Sequence, residues 1–120
     1  IKENGNLIRN WKMIFGHPKK AGWIKAIQEA QQTVQKGLKL DCPILVMSSN
    51  KSFPETETWH EEYMTSDIVL DVQDIQKYGE KLGDKVTRDT IPNGIHDLIL
   101  SQKPYRNDAY QTIFEWLKKQ

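Results

Sequence analysis

The order of hydrophobic patterns along this chain predicts an α/β fold with parallel strands flanked by helices. Two observations carry the prediction. Segments with apolar residues every three or four positions alternate with short apolar runs, in the order helix, strand, helix, strand, helix. The first of those runs, CPILVMSS, is nearly continuous in its apolar character, which suits a strand buried on both faces. Strands separated by helices pair in parallel through right-handed crossovers.

Each element has its own local reason. Residues 1–20, IKENGNLIRNWKMIFGHPKK, hold Gly5, Gly16 and Pro18 without a sustained period and read as irregular. Residues 21–38 place Trp23, Ile27, Ala30, Val34 and Leu38 at helical spacing, with Gly37 near the end as a stop. The strand CPILVMSS, 42–49, follows a short link. Residues 50–66, NKSFPETETWHEEYMTS, form a polar loop of a length that usually marks a functional or mobile segment. VLDVQDIQKYGEKLG, 69–83, is a second helix with Val72, Ile75 and Leu82 on one side and Gly83 as its stop. KVTRDTIP, 85–92, is a second strand with moderate alternation. NDAYQTIFEWLKKQ, 107–120, closes the chain as a helix with Ala109, Ile113, Phe114, Trp116 and Leu117 inward.

Composition bounds the function. The chain has 120 residues, one domain or a piece of one, with 38% hydrophobic and 28% charged content, as in soluble globular proteins. A net charge of +1 with scattered Lys and Arg argues against a nucleic-acid partner. Cys42 stands alone, so no intrachain disulfide forms, and a reducing, cytoplasmic setting is expected. The apolar runs are too short for stable membrane insertion. The first residue is Ile1, and the expectation is that the chain begins inside a longer protein.

The residues able to carry chemistry are few. His96, in NGIHDLILS, lies between a glycine-marked turn and an apolar run, just past the second strand. The loop after the first strand opens at the same edge, where open α/β sheets gather their functional groups. An acid from that loop therefore meets His96 over a short distance. Asp67, in SDIVLDV, has no local structural role and ranks first. Asp71 stands before VQD and reads as a helix N-cap. Glu61 and Glu62 read as solvated. A carboxylate at Asp67 would orient the imidazole of His96 and stabilise its charged form.

The other candidates read as structural. His60, in TWHEEY, resembles the start of a zinc helix, but position 64 is Met64 where that motif needs its second histidine, so no metal or other cofactor is expected. His17, beside Pro18, reads as a turn residue. Ser48, Ser49, Ser52 and Ser101 occupy no strained strand-to-helix elbow and read as hydrogen-bonding residues. The four tryptophans read as core or cap packing, with an acyl-chain pocket as the alternative.

Taken together, WKMIFGHPKKAGWIKAIQEAQQTVQKGL, CPILVMSSNKS, DIVLDVQDI, LGDKVT and GIHDLILS resemble the C-terminal portion of an α/β-hydrolase of the bacterial lysophospholipase-like or serine aminopeptidase-like kind. The resemblance covers almost the whole chain. It implies an incomplete sheet, with 1–20 as the end of a cap region and the helix at 21–38 descending from it. It implies His96 as general base and Asp67 as triad acid. The substrate class it implies is a small-molecule or lipid-like acyl compound, cleaved at an ester, thioester or amide bond. Two departures stand out. Many members place the acid in a Gly-x-x-Asp pattern directly after the strand, whereas SSNKS holds no acid. No glycine here is followed two places later by serine, so the Gly-x-Ser-x-Gly elbow is absent. The nucleophile is then expected on an N-terminal portion outside this chain, which alone would be inactive and would self-associate through its unpaired strand edge. The alternative is a non-catalytic α/β interaction module or a degenerate hydrolase half.

Overall fold

Both apolar runs fold as strands, β1 (Ile44–Ser49) and β2 (Val86–Ile91), in the computed structural model, which describes residues 20–120. The irregular segment expected over 1–20 lies, Lys20 apart, outside the described residues. Backbone contacts divide the chain into residues 1–31 and 32–120, and the second unit holds both strands and everything after them.

Helix α1 (Ala21–Lys36) crosses from the first unit into the second. It ends two residues before the expected Leu38, because Gly37 takes a φ of +96°, in the left-handed region that closes helices. The Gly37 amide donates to the Val34 carbonyl, and a Cβ at Gly37 would stand 3.2 Å from the Lys81 carbonyl oxygen. Leu38 and Leu40 then donate to the carbonyls of Lys81 and Leu82, which aligns the chain for β1.

β1 and β2 pair in parallel, in register from Ile44 opposite Val86 to Ser49 opposite Ile91. Alternation sends Val46, Ser48 and Arg88 to one face and Leu45, Thr87 and Ile91 to the other. Helix α2 (Val72–Gly79) covers the first face. A Cβ on Gly79 would lie 2.8 Å from Val46 Cγ1, so glycine sets the closeness of helix and sheet. Gln76 Nε2 donates to Ser48 Oγ, and Arg88 donates to the Gln76 carbonyl. The helix expected over 69–83 is shorter at both ends. Asp71 caps its start, and the last turn tightens into a 3₁₀ segment over Glu80–Leu82.

Helix α3 (Lys103–Leu117) lies on the second face, where Trp116 Nε1 donates to Thr87 Oγ1. It starts four residues before the expected Asn107, since Pro104 falls in the first turn, where a missing amide costs nothing. Ala109 is fully buried and Ile113 and Trp116 are half-buried. Phe114 and Leu117, expected inward, are instead 58% and 52% exposed, because the inward stripe runs through 109, 112, 113 and 116 and both residues lie beside it.

β1 is also less enclosed than expected. Ile44–Met47 are half-buried and only Ser48 and Ser49 are buried, since β2 is the sole strand beside it among the described residues. Among the described residues the buried apolar set is Val72, Ile91 and Ala109, and five polar residues are buried with it: Ser48, Ser49, Ser66, Asp67 and Ser101. No helix among the described residues is long and apolar enough to cross a membrane.

Candidate functional site

The loop that leaves β1 returns to where it began. Ser52 and Asp67 form a parallel bridge, in which the Asp67 amide donates to Lys51 and the Phe53 amide donates to Asp67, at 3.0 and 2.9 Å. Between these ends the polar loop expected from sequence carries an aromatic cluster. Tyr63 lies 5.6 Å from Phe53 and 5.3 Å from Trp59, and its hydroxyl accepts the Thr56 amide at 2.7 Å. Glu61–Met64 form a 3₁₀ turn. His60 packs on Phe53 and its Nε2 lies 3.2 Å from Thr58 Oγ1. Glu61 and Glu62 are exposed, as expected.

Closing the loop places Asp67 in the interior. Its Oδ1 accepts the amides of Val69 and Leu70 at 2.8 and 2.9 Å, and the residue is 1% exposed. Main chain and side chain are thus held independently. Asp71 points elsewhere and accepts the Gln73 amide as the cap of α2. The two acids compared from sequence therefore have separate tasks.

His96 arrives from β2 through a built turn. Asn93 takes a φ of +58°, and its amide donates to Asn50 Oδ1 at 3.0 Å. Gly94 is buried where a Cβ would stand 2.6 Å from Leu98 Cδ2. The Ile95 amide donates to Ser101 Oγ, and Asp97 caps the 3₁₀ turn Leu98–Leu100 through the Ile99 amide. The aspartate directly behind the histidine therefore holds the turn that presents it.

The two segments meet at one bond. His96 Nδ1 lies 2.8 Å from Asp67 Oδ2, with side-chain exposures of 42% and 1%. An ionised carboxylate accepts only, so Nδ1 carries a proton, and in the neutral ring Nε2 presents a lone pair. No described residue hydrogen-bonds Nε2, which stands across the ring from Nδ1. This arrangement can take a proton from a donor approaching that side, and the buried carboxylate would stabilise the resulting imidazolium.

None of the four serines considered from sequence hydrogen-bonds His96. Ser48 Oγ donates to the Ser49 carbonyl, Ser49 Oγ accepts the Lys51 amide, and Ser101 Oγ accepts the Ile95 amide. Ser52 Oγ bridges the Leu70 carbonyl and the Val72 amide at 3.0 and 2.9 Å. Ser66 Oγ is buried beside Asp67 without a partner among the described residues. No group of three or more His, Cys, Asp or Glu able to hold a metal occurs among the described residues. A cleft of about 410 Å³ between the sheet and α3, lined by Leu45, Thr87, Asp89 and Trp116, includes neither Asp67 nor His96.

Sequence reasoning missed Asn50 and gave Ser52 no special place. The signal was the polar run SSNKS at the carboxyl end of β1, where short side chains often bond nearby backbone. Here they reach backbone across 43 and 18 to 20 residues. No family model, curated protein or solved structure matches this chain.

Proposed function

We propose that Asp67 and His96 are the acid and the general base of a serine hydrolase, and that this chain is the C-terminal portion of an α/β-hydrolase domain of the bacterial lysophospholipase-like kind. The observation that carries the reading is the 2.8 Å bond from a buried carboxylate to Nδ1 of a half-open histidine at the carboxyl edge of a parallel sheet. Asp67 holds the tautomer in which Nε2 is the acceptor. Nε2 takes the proton as a serine hydroxyl attacks the carbonyl carbon of an ester, thioester or amide. The same proton passes to the leaving group as the tetrahedral intermediate collapses to an acyl-serine. Water then attacks the acyl carbon, giving its proton to Nε2, and the serine leaves protonated.

The serine belongs to a segment outside these 120 residues, because the chain holds no elbow motif and no described serine bonds His96. The acyl substrate is small or lipid-like, and the setting is cytoplasmic. The test is turnover of activated esters by the protein that joins this chain to its serine-bearing segment. His96→Ala is expected to lower kcat by several orders of magnitude, since triad members act as a unit. A near-normal rate would leave a non-catalytic module.

A further inference from the structure

We infer that Ser52 is a positioning residue of the Asp67–His96 pair, acting on the histidine through the turn that carries the acid; the inference rests on the catalytic reading of that pair. The turn from Asp67 to Val72 is closed by two sets of bonds. From inside, Asp67 Oδ1 accepts the amides of Val69 and Leu70. From outside, Ser52 Oγ donates to the Leu70 carbonyl and accepts the Val72 amide. The residue between Asp67 and Ser52 is thus Leu70, bonded through its amide to one and through its carbonyl to the other.

That geometry makes the hydroxyl more than a local cap. Val72 opens α2, so its amide is one of the orphan donors of a helix start, and the Asp71 carboxylate is already occupied by Gln73. Ser52 satisfies the donor that Asp71 leaves free. Without the hydroxyl, both the Leu70 carbonyl and the Val72 amide lose their partner on the β1 side. The Leu70–Asp71 peptide then loses its anchor, and because it meets the Val69–Leu70 peptide at the Leu70 Cα, the Leu70 amide is less firmly held against Asp67 Oδ1. Oδ2 sits on the same rigid carboxylate, so its 2.8 Å contact with His96 shifts too. The backbone bridge at Ser52 keeps the Asp67 main chain near in either case, so the effect falls on the carboxylate's orientation and not on the loop's closure.

The experiment compares Ser52→Thr with Ser52→Val, an isosteric pair that differs in the hydroxyl, at a position with room for the added methyl because Ser52 is exposed. The readout is the His96 Nδ1 proton in nitrogen-labelled protein, which a carboxylate partner moves strongly downfield. The wild type and Ser52→Thr are expected to show that resonance, and Ser52→Val to lose it or move it upfield while its backbone spectrum stays folded. Asp71→Ala, which removes the neighbouring cap of α2, is expected to leave it in place, so that a weakened helix start alone does not imitate the effect. An unchanged resonance in folded Ser52→Val would overturn the role of Ser52 while sparing the pair. Global unfolding of Ser52→Val beside a folded Ser52→Thr would overturn it as well, making the hydroxyl a general stabiliser. Absence of the resonance from the wild type would overturn the pair itself, and the inference with it.

Discussion

Replacing Asp67 separates what its carboxylate does for stability from what it does for His96. Three donors reach it: the amides of Val69 and Leu70 at Oδ1 and His96 Nδ1 at Oδ2. In Asp67→Asn the amide oxygen can occupy the Oδ1 position and keep both backbone donors. A bond to a charged acceptor contributes about 1.5–3 kcal/mol and one to a neutral acceptor about 0.5–1.5 kcal/mol, so each retained bond weakens by about 1 kcal/mol. A neutral amide is cheaper to bury than a carboxylate, which offsets part of that loss. The net cost is about 1–2 kcal/mol. Asp67→Ala strands both amides in a part-buried turn at about 1–3 kcal/mol each, for a total of about 2–6 kcal/mol. Urea unfolding followed by circular dichroism measures both variants on the 120-residue chain. Equal costs for Asn and Ala would refute this account of Oδ1. At His96 the ranking differs. The Asn side chain offers an NH₂ group to Nδ1, which selects the tautomer with the proton on Nε2 and removes the acceptor. Turnover in the serine-bearing protein should therefore fall about 10⁴-fold for Asp67→Asn, despite its milder stability cost.

Two further outcomes follow from packing and pairing. Gly83→Ala places a Cβ against the Leu40 backbone carbonyl, which cannot yield as a side chain can. It should cost about 1–3 kcal/mol. Gly79→Ala, which meets only the Val46 side chain and gains about 1 kcal/mol in helix propensity, should cost less by the same urea assay. The second outcome concerns the free side of β1. Ile44 donates to the Lys85 carbonyl and Asn50 to the Ile91 carbonyl, so the amides of Leu45 and Met47 point to the opposite edge, in a run without a single charge. The isolated chain should self-associate there. Sedimentation should show mass rising with concentration, and Met47→Pro, which removes an outward amide, should suppress it. A monomer at every concentration would count against the edge.

The order of elements and the meeting of Asp67 with His96 were legible because the patterns behind them are local. Helical spacing in residues 21–38 and the apolar run after Pro43 needed no tertiary information. Asp71 was recognisable as a cap and is one; Asp67 was read as having no local role, whereas its Oδ1 closes a local turn through the Val69 and Leu70 amides while Oδ2 reaches His96. What was not legible depends on partners distant in sequence. Ser52 and Asn50 look like any loop residues until their bonds to Leu70, Val72 and Asn93 are known. The exposure of Phe114 and Leu117 could not be read from a helix whose apolar residues cover more than one stripe. The aromatic order within 53–63 was hidden by the polar residues between Phe53, Trp59 and Tyr63.

The most direct test of the central claim is covalent labelling by a fluorophosphonate, followed by peptide mass analysis, in the protein that carries both this chain and its serine-bearing segment. The account predicts one adduct, on a serine outside residues 1–120, that is lost in His96→Ala, and no adduct on the 120-residue chain by itself. Labelling of any serine within this chain, or an adduct that survives His96→Ala undiminished, would contradict it.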